Sequence, residues 1–373
     1  MPTDFEILVI GAGQAGLSAG YHLRRLGLVP ERDFLIVDHA DGPGGAWQYR
    51  WPSLTLTTVN RVHDLPGMEF AEVLPAGSES APAATAVPRY YELYEKRFDL
   101  RVRRPVSVTV VCDRGDEHTA TTDAAAHTEM LSAETDADGP LRVRGLINAT
   151  GTWERPFIPH YRGAATFTGR QLHTRDYRTA DEFAGAHVVV VGGGISAVQL
   201  LDEISLVAST TWVTRTPPLF RDTPFAPEDG RAAVARVEDR VRRGLPPGSV
   251  VSVTGLPFDD RLRAAQRRGV LHRLPMFDHI EPDGVRWADG SFQPADAIVW
   301  ATGFRSSLDH LAPLGLRGPG GGITMTGRLA TQVQRDPRVH LIGYGPSAST
   351  IGANRAGRAA AAELTKYLGL QPH

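Results

Sequence analysis

The stretch FEILVIGAGQAG, residues 5–16, decides the fold. A short apolar run meets three glycines spaced Gly11-x-Gly13-x-x-Gly16. A continuous apolar run bounded by glycine reads as a buried strand of a parallel sheet. The glycines permit a tight turn and close approach of backbone to a diphosphate. The helix N-terminus beyond them adds partial positive charge. AGLSAGYHLRRL, residues 15–26, reads as that helix, and Gly27 as its stop signal. DFLIVDH, residues 33–39, reads as the next strand and carries Asp38, an acceptor for ribose hydroxyls. The glycine spacing alone is weak, and a ligand-free turn is the plain alternative. The strand before it, the helix after it and the acid at Asp38 favour a dinucleotide. GLSAG, residues 16–20, also matches the hydrolase nucleophile elbow, but Ser18 falls inside the helix and reads as packing.

The pattern returns in HVVVVGGGISAVQL, residues 187–200, as Gly192-x-Gly194-x-x-Ala197. Ala in the last place suits helix–strand packing, and Ser196 lies beside it in the same turn. The next strand, STTWVT, runs into Arg215-Thr216 instead of an acid. An Arg there can pair with a 2′-phosphate that an Asp would repel; a solvated surface Arg is the other reading. The first site therefore suits FAD and the second NADPH. Two further turns, Asn148-Ala149-Thr150-Gly151 and Trp300-Ala301-Thr302-Gly303, end strands where backbone can pass close to a cofactor. Val106, in the extended RVRRPVSVTVVCD, joins the cofactor-binding candidates.

The fold class expected is α/β, with two Rossmann-like dinucleotide-binding domains and the NADP domain inserted into the FAD domain. The boundaries expected are 1–155 for the first part of the FAD domain, 156–302 for the NADP domain and 303–373 for the C-terminal part. Residues 70–88, rich in Pro, Ala and Ser, read as a surface loop, and residues 117–139 as a loop or hairpin tip. YYELYEKRF, residues 90–98, reads as helix.

With 373 residues the chain is long enough for two or three cores. Its 40 basic and 42 acidic residues leave no broad basic field, which argues against a nucleic-acid partner. One cysteine, Cys112, excludes a disulfide framework, a Cys-based zinc site and a dithiol redox centre. The 13 histidines are scattered, so no metal is expected. No apolar run is long enough for a membrane span, and no leader is visible, so a cytoplasmic enzyme acting on a small molecule is expected. Oligomeric state stays open, a homodimer being the assembly considered.

Two dinucleotide sites in one chain suggest electrons passing from nicotinamide to flavin, with the protein supplying placement. Between them lies FTGRQLHTRDY, residues 167–177, which looks like loop. It spells Phe167-x-Gly169-x-x-x-His173-x-x-x-Tyr177. This resembles the fingerprint of flavin-containing monooxygenases and of the related Baeyer–Villiger enzymes, which usually end it in Trp. GGAWQYRWPSLTL, residues 44–56, resembles the family's Gly-Gly-x-Trp flavin segment, with Gly45 and Trp47 as cofactor-binding candidates. Arg215-Thr216 resembles the family's Arg-Thr for the NADPH phosphate. The short length looks like the bacterial branch.

The resemblance implies that NADPH reduces FAD, and that molecular oxygen then forms a C4a-hydroperoxyflavin. NADP+ stays bound and excludes water, and a sulfur or nitrogen nucleophile takes one oxygen atom. Baeyer–Villiger oxygenation is the near alternative, which Tyr177 in place of Trp disfavours. An NADPH oxidase or reductase without a dedicated substrate is another, and a nucleotide sensor a third. Many members hold an Asn after the flavin segment; here Thr57 or Thr58 falls there, with Asn60 close by. Thr57, Asn60, His173 and Tyr177 are therefore the catalytic candidates. A His with a near-neutral pKa could shuttle a proton, but the favoured role for His173 is positional, at the joint between the two sites.

Overall fold

The computed structural model describes residues 3–59, 62–74, 80–113, 130–137, 139–221, 227–248 and 255–370. β1 (Thr3–Ile10) is the axis of an eight-stranded sheet. It pairs in parallel with β2 (Phe34–Val37) on one side and β5 (Leu141–Asn148) on the other. The strand Val339–Leu341 continues the sheet, in parallel with β5. Ile10 is level with both Val37 and Asn148, and Leu341 is level with Asn148. Four strand ends thus finish in one row, with Gly11, Asp38 and Ala149 just beyond. Ile7, Leu8 and Val9 have no exposure at all, as a strand covered on both faces requires.

One face is covered by α1 (Gln14–Arg25) and the closing helix Thr350–Tyr367. Small residues let these helices approach closely. A Cβ on Gly357 would stand 2.7 Å from Ser18 Oγ. Ser18 is buried and donates to Asn354 O at 3.0 Å, which fits a packing residue and no nucleophile elbow.

A second sheet is parallel throughout. Its order is Arg273–Pro275, β8 (Ser209–Thr214), β7 (His187–Val191), Ala297–Trp300, then β6 (Arg170–His173). α3 (Ile195–Ile204) follows β7 and packs Ala197, Val198, Leu200 and Leu201 into the core beneath. Strands at both ends of the chain build the first sheet and residues 170–300 build the second. That is the α/β fold of two dinucleotide-binding domains expected from the glycine turns.

Three local expectations need correction. Residues 170–173 are not loop but an edge strand held by Ala297–Trp300 through backbone pairing. Of its side chains only Leu172 and His173 are buried, so no apolar period announces it. Residues 117–139 are not all loop: β4 (Leu131–Thr135) pairs antiparallel with both β3 (Val108–Cys112) and β5. Residues 114–129 and 138 lie outside the described ones. The helix α2 (Ala83–Arg97) begins well inside the expected 70–88 loop and contains Pro88. Proline there forfeits one helical hydrogen bond, but its ring packs on Gly44, where a Cβ would come within 2.7 Å of it.

Candidate functional site

The row of strand ends in the first sheet opens on a cavity of about 430 Å³. Carboxyl ends of parallel strands are where such folds bind ligands. The three glycines of the first turn have distinct tasks. Gly11 has φ +97°, and a Cβ would stand 2.7 Å from Ala149 O. A Cβ on Gly16 would stand 1.8 Å from Gly11 O, so Gly16 serves close packing and does not line the cavity. A Cβ on Gly13 would find its nearest heavy atom at 4.0 Å and would project into open space. A cradle of this kind fits a diphosphate. The buried Asp38 carboxylate accepts the N–H of Ala12 at 2.6 Å and of Ala40 at 2.9 Å. A carboxylate has about four acceptor positions, so it retains capacity for ribose hydroxyls.

Gly11, Gly13, Asp38, Gly45, Trp47, Val106, Thr150 and Gly151 all line this cavity. Gly45 lies against the phosphate turn, its Cβ position 3.0 Å from Gly13 Cα. Thr150 Oγ1 donates to Ser307 O at 2.6 Å and accepts from Asn148 Nδ2 at 3.0 Å. Asn148 Oδ1 in turn accepts from His310 Nε2 at 2.7 Å. Burial lowers the His310 pKa to about 4, so its ring is neutral at pH 7 with Nδ1 left as an acceptor.

Tyr49, Arg50, Trp153, Glu154 and His310, none a site candidate in the sequence, line the cavity too, with Phe304 from the end of the Trp300–Phe304 turn. They form an aromatic wall. Trp153 stacks on Phe304 at 5.2 Å and on Tyr49 at 6.2 Å between centroids. Beside it Arg175 pairs with Glu154 at 3.0 Å, and His39 Nε2 lies 3.5 Å from the same carboxylate. Only the Gly-Gly-x-Trp resemblance touched this segment, and only proximity to it could have pointed to Tyr49 and Arg50.

The second turn repeats the construction. Gly192 has φ +141°, and a Cβ would stand 2.2 Å from Ala301 O; Gly194 faces open space. Ala301 N–H donates to Val191 O at 2.8 Å, so the Ala301-Thr302-Gly303 turn adjoins the glycine turn. Thr302 Oγ1 donates to Phe157 O. Ala197 is fully buried, and Ser196 is half-buried in the first turn of α3. β8 delivers Arg215 and Thr216, both exposed, beside this turn. Arg273 steadies that strand end by donating from Nε to Thr214 Oγ1 at 2.8 Å.

The four catalytic candidates do not gather in the cavity. Asn60 lies outside the described residues. Thr57 is exposed and bonds Thr55 Oγ1 at 2.8 Å. His173 is buried; its Nε2 donates to Gly303 O at 2.9 Å and its Nδ1 accepts from Arg175 N–H at 3.1 Å. Burial holds its pKa below the ordinary histidine value, against the opposing pull of the Gly303 carbonyl. Both ring nitrogens are engaged by backbone, and its edge meets Phe304 at 4.8 Å. Tyr177 has no exposure and donates its OH to Glu203 Oε1 at 2.9 Å. Glu203 Oε1 also accepts from Ser53 Oγ at 2.7 Å. The fingerprint residues thus sit at a seam between the sheets. Among the described residues no helix is long and apolar enough to cross a membrane.

Two glycine turns, each at the carboxyl ends of parallel strands and joined through one fingerprint segment, define an oxidoreductase with two dinucleotide-binding domains. The chain belongs to the pyridine nucleotide-disulphide oxidoreductase family, matched over residues 8–226, and within it to the flavin-dependent monooxygenases. The flavin-containing monooxygenase from Stenotrophomonas maltophilia is 35% identical, covers 98% of this chain and 99% of its own, and superposes with a TM-score of 0.79. A double mutant of that enzyme gives 36% and 0.80 over the same shares. The uncharacterized oxidoreductase CzcO of Bacillus subtilis is 25% identical over 82% of both chains. The indole-3-pyruvate monooxygenase YUCCA4 of Oryza sativa subsp. japonica is 26% identical over 81% of this chain and 75% of its own. Despite the family's name, this chain has one cysteine, Cys112, which is buried, so it holds no dithiol.

Proposed function

We propose that the chain is an NADPH-dependent flavoprotein monooxygenase that oxidises a small soft nucleophile at sulfur or nitrogen. FAD occupies the cavity of the first sheet, NADPH binds at the second glycine turn, and molecular oxygen is the co-substrate. The division expected from the sequence, 1–155, 156–302 and 303–373, belongs to this reading. The observation that carries it is the contrast between two otherwise similar turns: a buried Asp38 closes one and an exposed Arg215-Thr216 closes the other. When bound, the reduced flavin supplies the activation of oxygen.

The protein's own part is placement. The Gly11–Gly16 turn cradles the diphosphate, Asp38 takes the ribose, and His310 offers a neutral acceptor at the cavity wall. Trp153, Phe304 and Tyr49 wall the cavity against water. The Gly192–Gly194 turn with Arg215 would hold NADP+, and a retained nucleotide there would add to that exclusion. His173 holds the Gly303 turn through backbone bonds and moves no proton. The preference for heteroatom oxidation rests on Tyr177 standing where Baeyer–Villiger enzymes carry Trp.

The test is anaerobic reduction by NADPH followed by air, with thioethers, amines, ketones and 2-oxo acids supplied separately and scored by product. The 2-oxo acids enter because of the rice relative's substrate. Sulfoxide or N-oxide formation in step with NADPH consumption is the expected result. Ester or decarboxylated products replace this reading with a carbonyl oxygenase, and stoichiometric peroxide with every compound replaces it with an oxidase.

A further inference from the structure

Arg50 follows the short 3-10 helix Gly45–Tyr49, whose first residue lies against Gly13 of the phosphate turn. Among the described residues lining the cavity it is the one Arg or Lys. Its guanidinium lies over Trp153 at 4.6 Å and Trp47 at 5.7 Å. Its Nε is buried and has no hydrogen-bond partner, and among the described residues no carboxylate pairs with it. The two carboxylates lining the same cavity are committed elsewhere. Glu154 holds Arg175 and His39, while Asp38 accepts Ala12 and Ala40. Burial alone depresses the Arg50 pKa to about 10.

A half-buried cation with an unbonded Nε and no counter-charge is costly, and it persists where something else supplies the charge. The phosphate turn offers only backbone donors and a helix terminus, with no cationic side chain of its own. The occupant of this cavity is a dianionic diphosphate if the FAD reading holds. Guanidinium is the side chain best matched to phosphate oxygens, and stacking on indole faces pre-organises it.

We infer that Arg50 is the cationic anchor of the FAD diphosphate, a phosphate-binding residue outside the glycine fingerprint. The inference rests on FAD occupying the cavity. Without ligand, Arg50 destabilises the protein; with ligand, it converts that cost into affinity for the phosphate part of the cofactor.

The experiment compares the full-length protein, freed of flavin, with its Arg50→Met and Arg50→Lys variants. Met keeps the length and the contact with the indoles and removes the charge. Binding of FAD and of riboflavin, which has no phosphate, is followed by quenching of flavin fluorescence, together with Tm before flavin is added. Arg50→Met should weaken FAD about 10- to 100-fold and leave riboflavin within about twofold. Arg50→Lys should fall between. Tm of the flavin-free Met variant should equal or exceed wild type, because an uncompensated charge has gone. Equal weakening of FAD and riboflavin, or unchanged FAD binding, overturns the inference. A lower flavin-free Tm with no selectivity makes Arg50 structural. If the Met variant is not recovered folded, Arg50→Gln takes its place. Wild type that binds no FAD overturns the cavity assignment itself, a separate result.

Discussion

In the proposed function, Arg215 carries the choice of nicotinamide cofactor. It is exposed, and β8 sets it beside the Gly192–Gly194 turn. A charge-assisted contact to a 2′-phosphate contributes about 1.5–3 kcal/mol. Arg215→Ala should therefore raise KM for NADPH about 10- to 100-fold and change KM for NADH by less than about threefold. Steady-state kinetics with both cofactors decides it, and equal changes remove the phosphate assignment. His340 supports a prediction of another kind. It has no exposure; its Nδ1 meets Thr331 Oγ1 at 3.2 Å and its Nε2 has no partner. Burial lowers its pKa to about 3. Unfolded, it titrates near 6.5, so below that pH the unfolded chain takes up a proton that the folded chain refuses. Its contribution to stability is complete above about pH 6.5 and falls as the pH drops towards the folded value. Between pH 7 and 5 the loss is on the order of 2 kcal/mol. Urea unfolding of His340→Gln at both pH values should show that loss reduced by a similar amount; an unchanged difference refutes the assignment.

At the scale of elements, legibility followed burial symmetry. β1 and β7 are buried on both faces and end in glycine, so their apolar runs and turns announced them. β6 did not, because an edge strand is held by backbone pairing and its side chains need no pattern. α2 was half read: its tyrosines Tyr90, Tyr91 and Tyr94 are fully buried and give a helical period. Pro88 and the alanines before it hid its first turns. The cavity showed the same division. Gly11, Gly13 and Asp38 belong to a local spacing rule, whereas Trp153, Phe304 and His310 come together only through the fold and carry no spacing of their own. Tyr177 lies between these cases, since the fingerprint located it but only the structure reveals its partner. It joins the segment after β6 to α3 through Glu203, and its ring stacks on Phe183 at 6.1 Å. Tyr177→Phe keeps the stack and loses the bond to a carboxylate, which should cost about 1–3 kcal/mol. Thermal unfolding should show a lower Tm with unchanged FAD content, and a variant as stable as wild type denies the bond any weight.

At the scale of the molecule, the two sheets must hold two cofactors in register, and few polar contacts do this on the side of residues 51–59. Ser53 Oγ donates to Glu203, and Gln199 Nε2 donates to Thr58 O at 2.8 Å. Trp51 meets the Tyr177 ring edge-on at 6.1 Å. All three connect the segment after Gly-Gly-x-Trp to α3 or the fingerprint, hence to the helix that begins at the second glycine turn. Electron transfer from nicotinamide needs only brief approach, whereas oxygen transfer needs the site kept closed until substrate reacts. Cutting these ties should therefore separate the two steps. The double variant Gln199→Ala with Ser53→Ala should retain NADPH oxidation within about threefold of wild type. Its yield of oxygenated product per NADPH should fall severalfold, with peroxide rising by the missing amount. The measurement is a simultaneous count of NADPH, product and peroxide at saturating substrate. If the yield holds while the rate falls, the seam governs reduction instead, and residues 51–59 have no part in keeping the site closed.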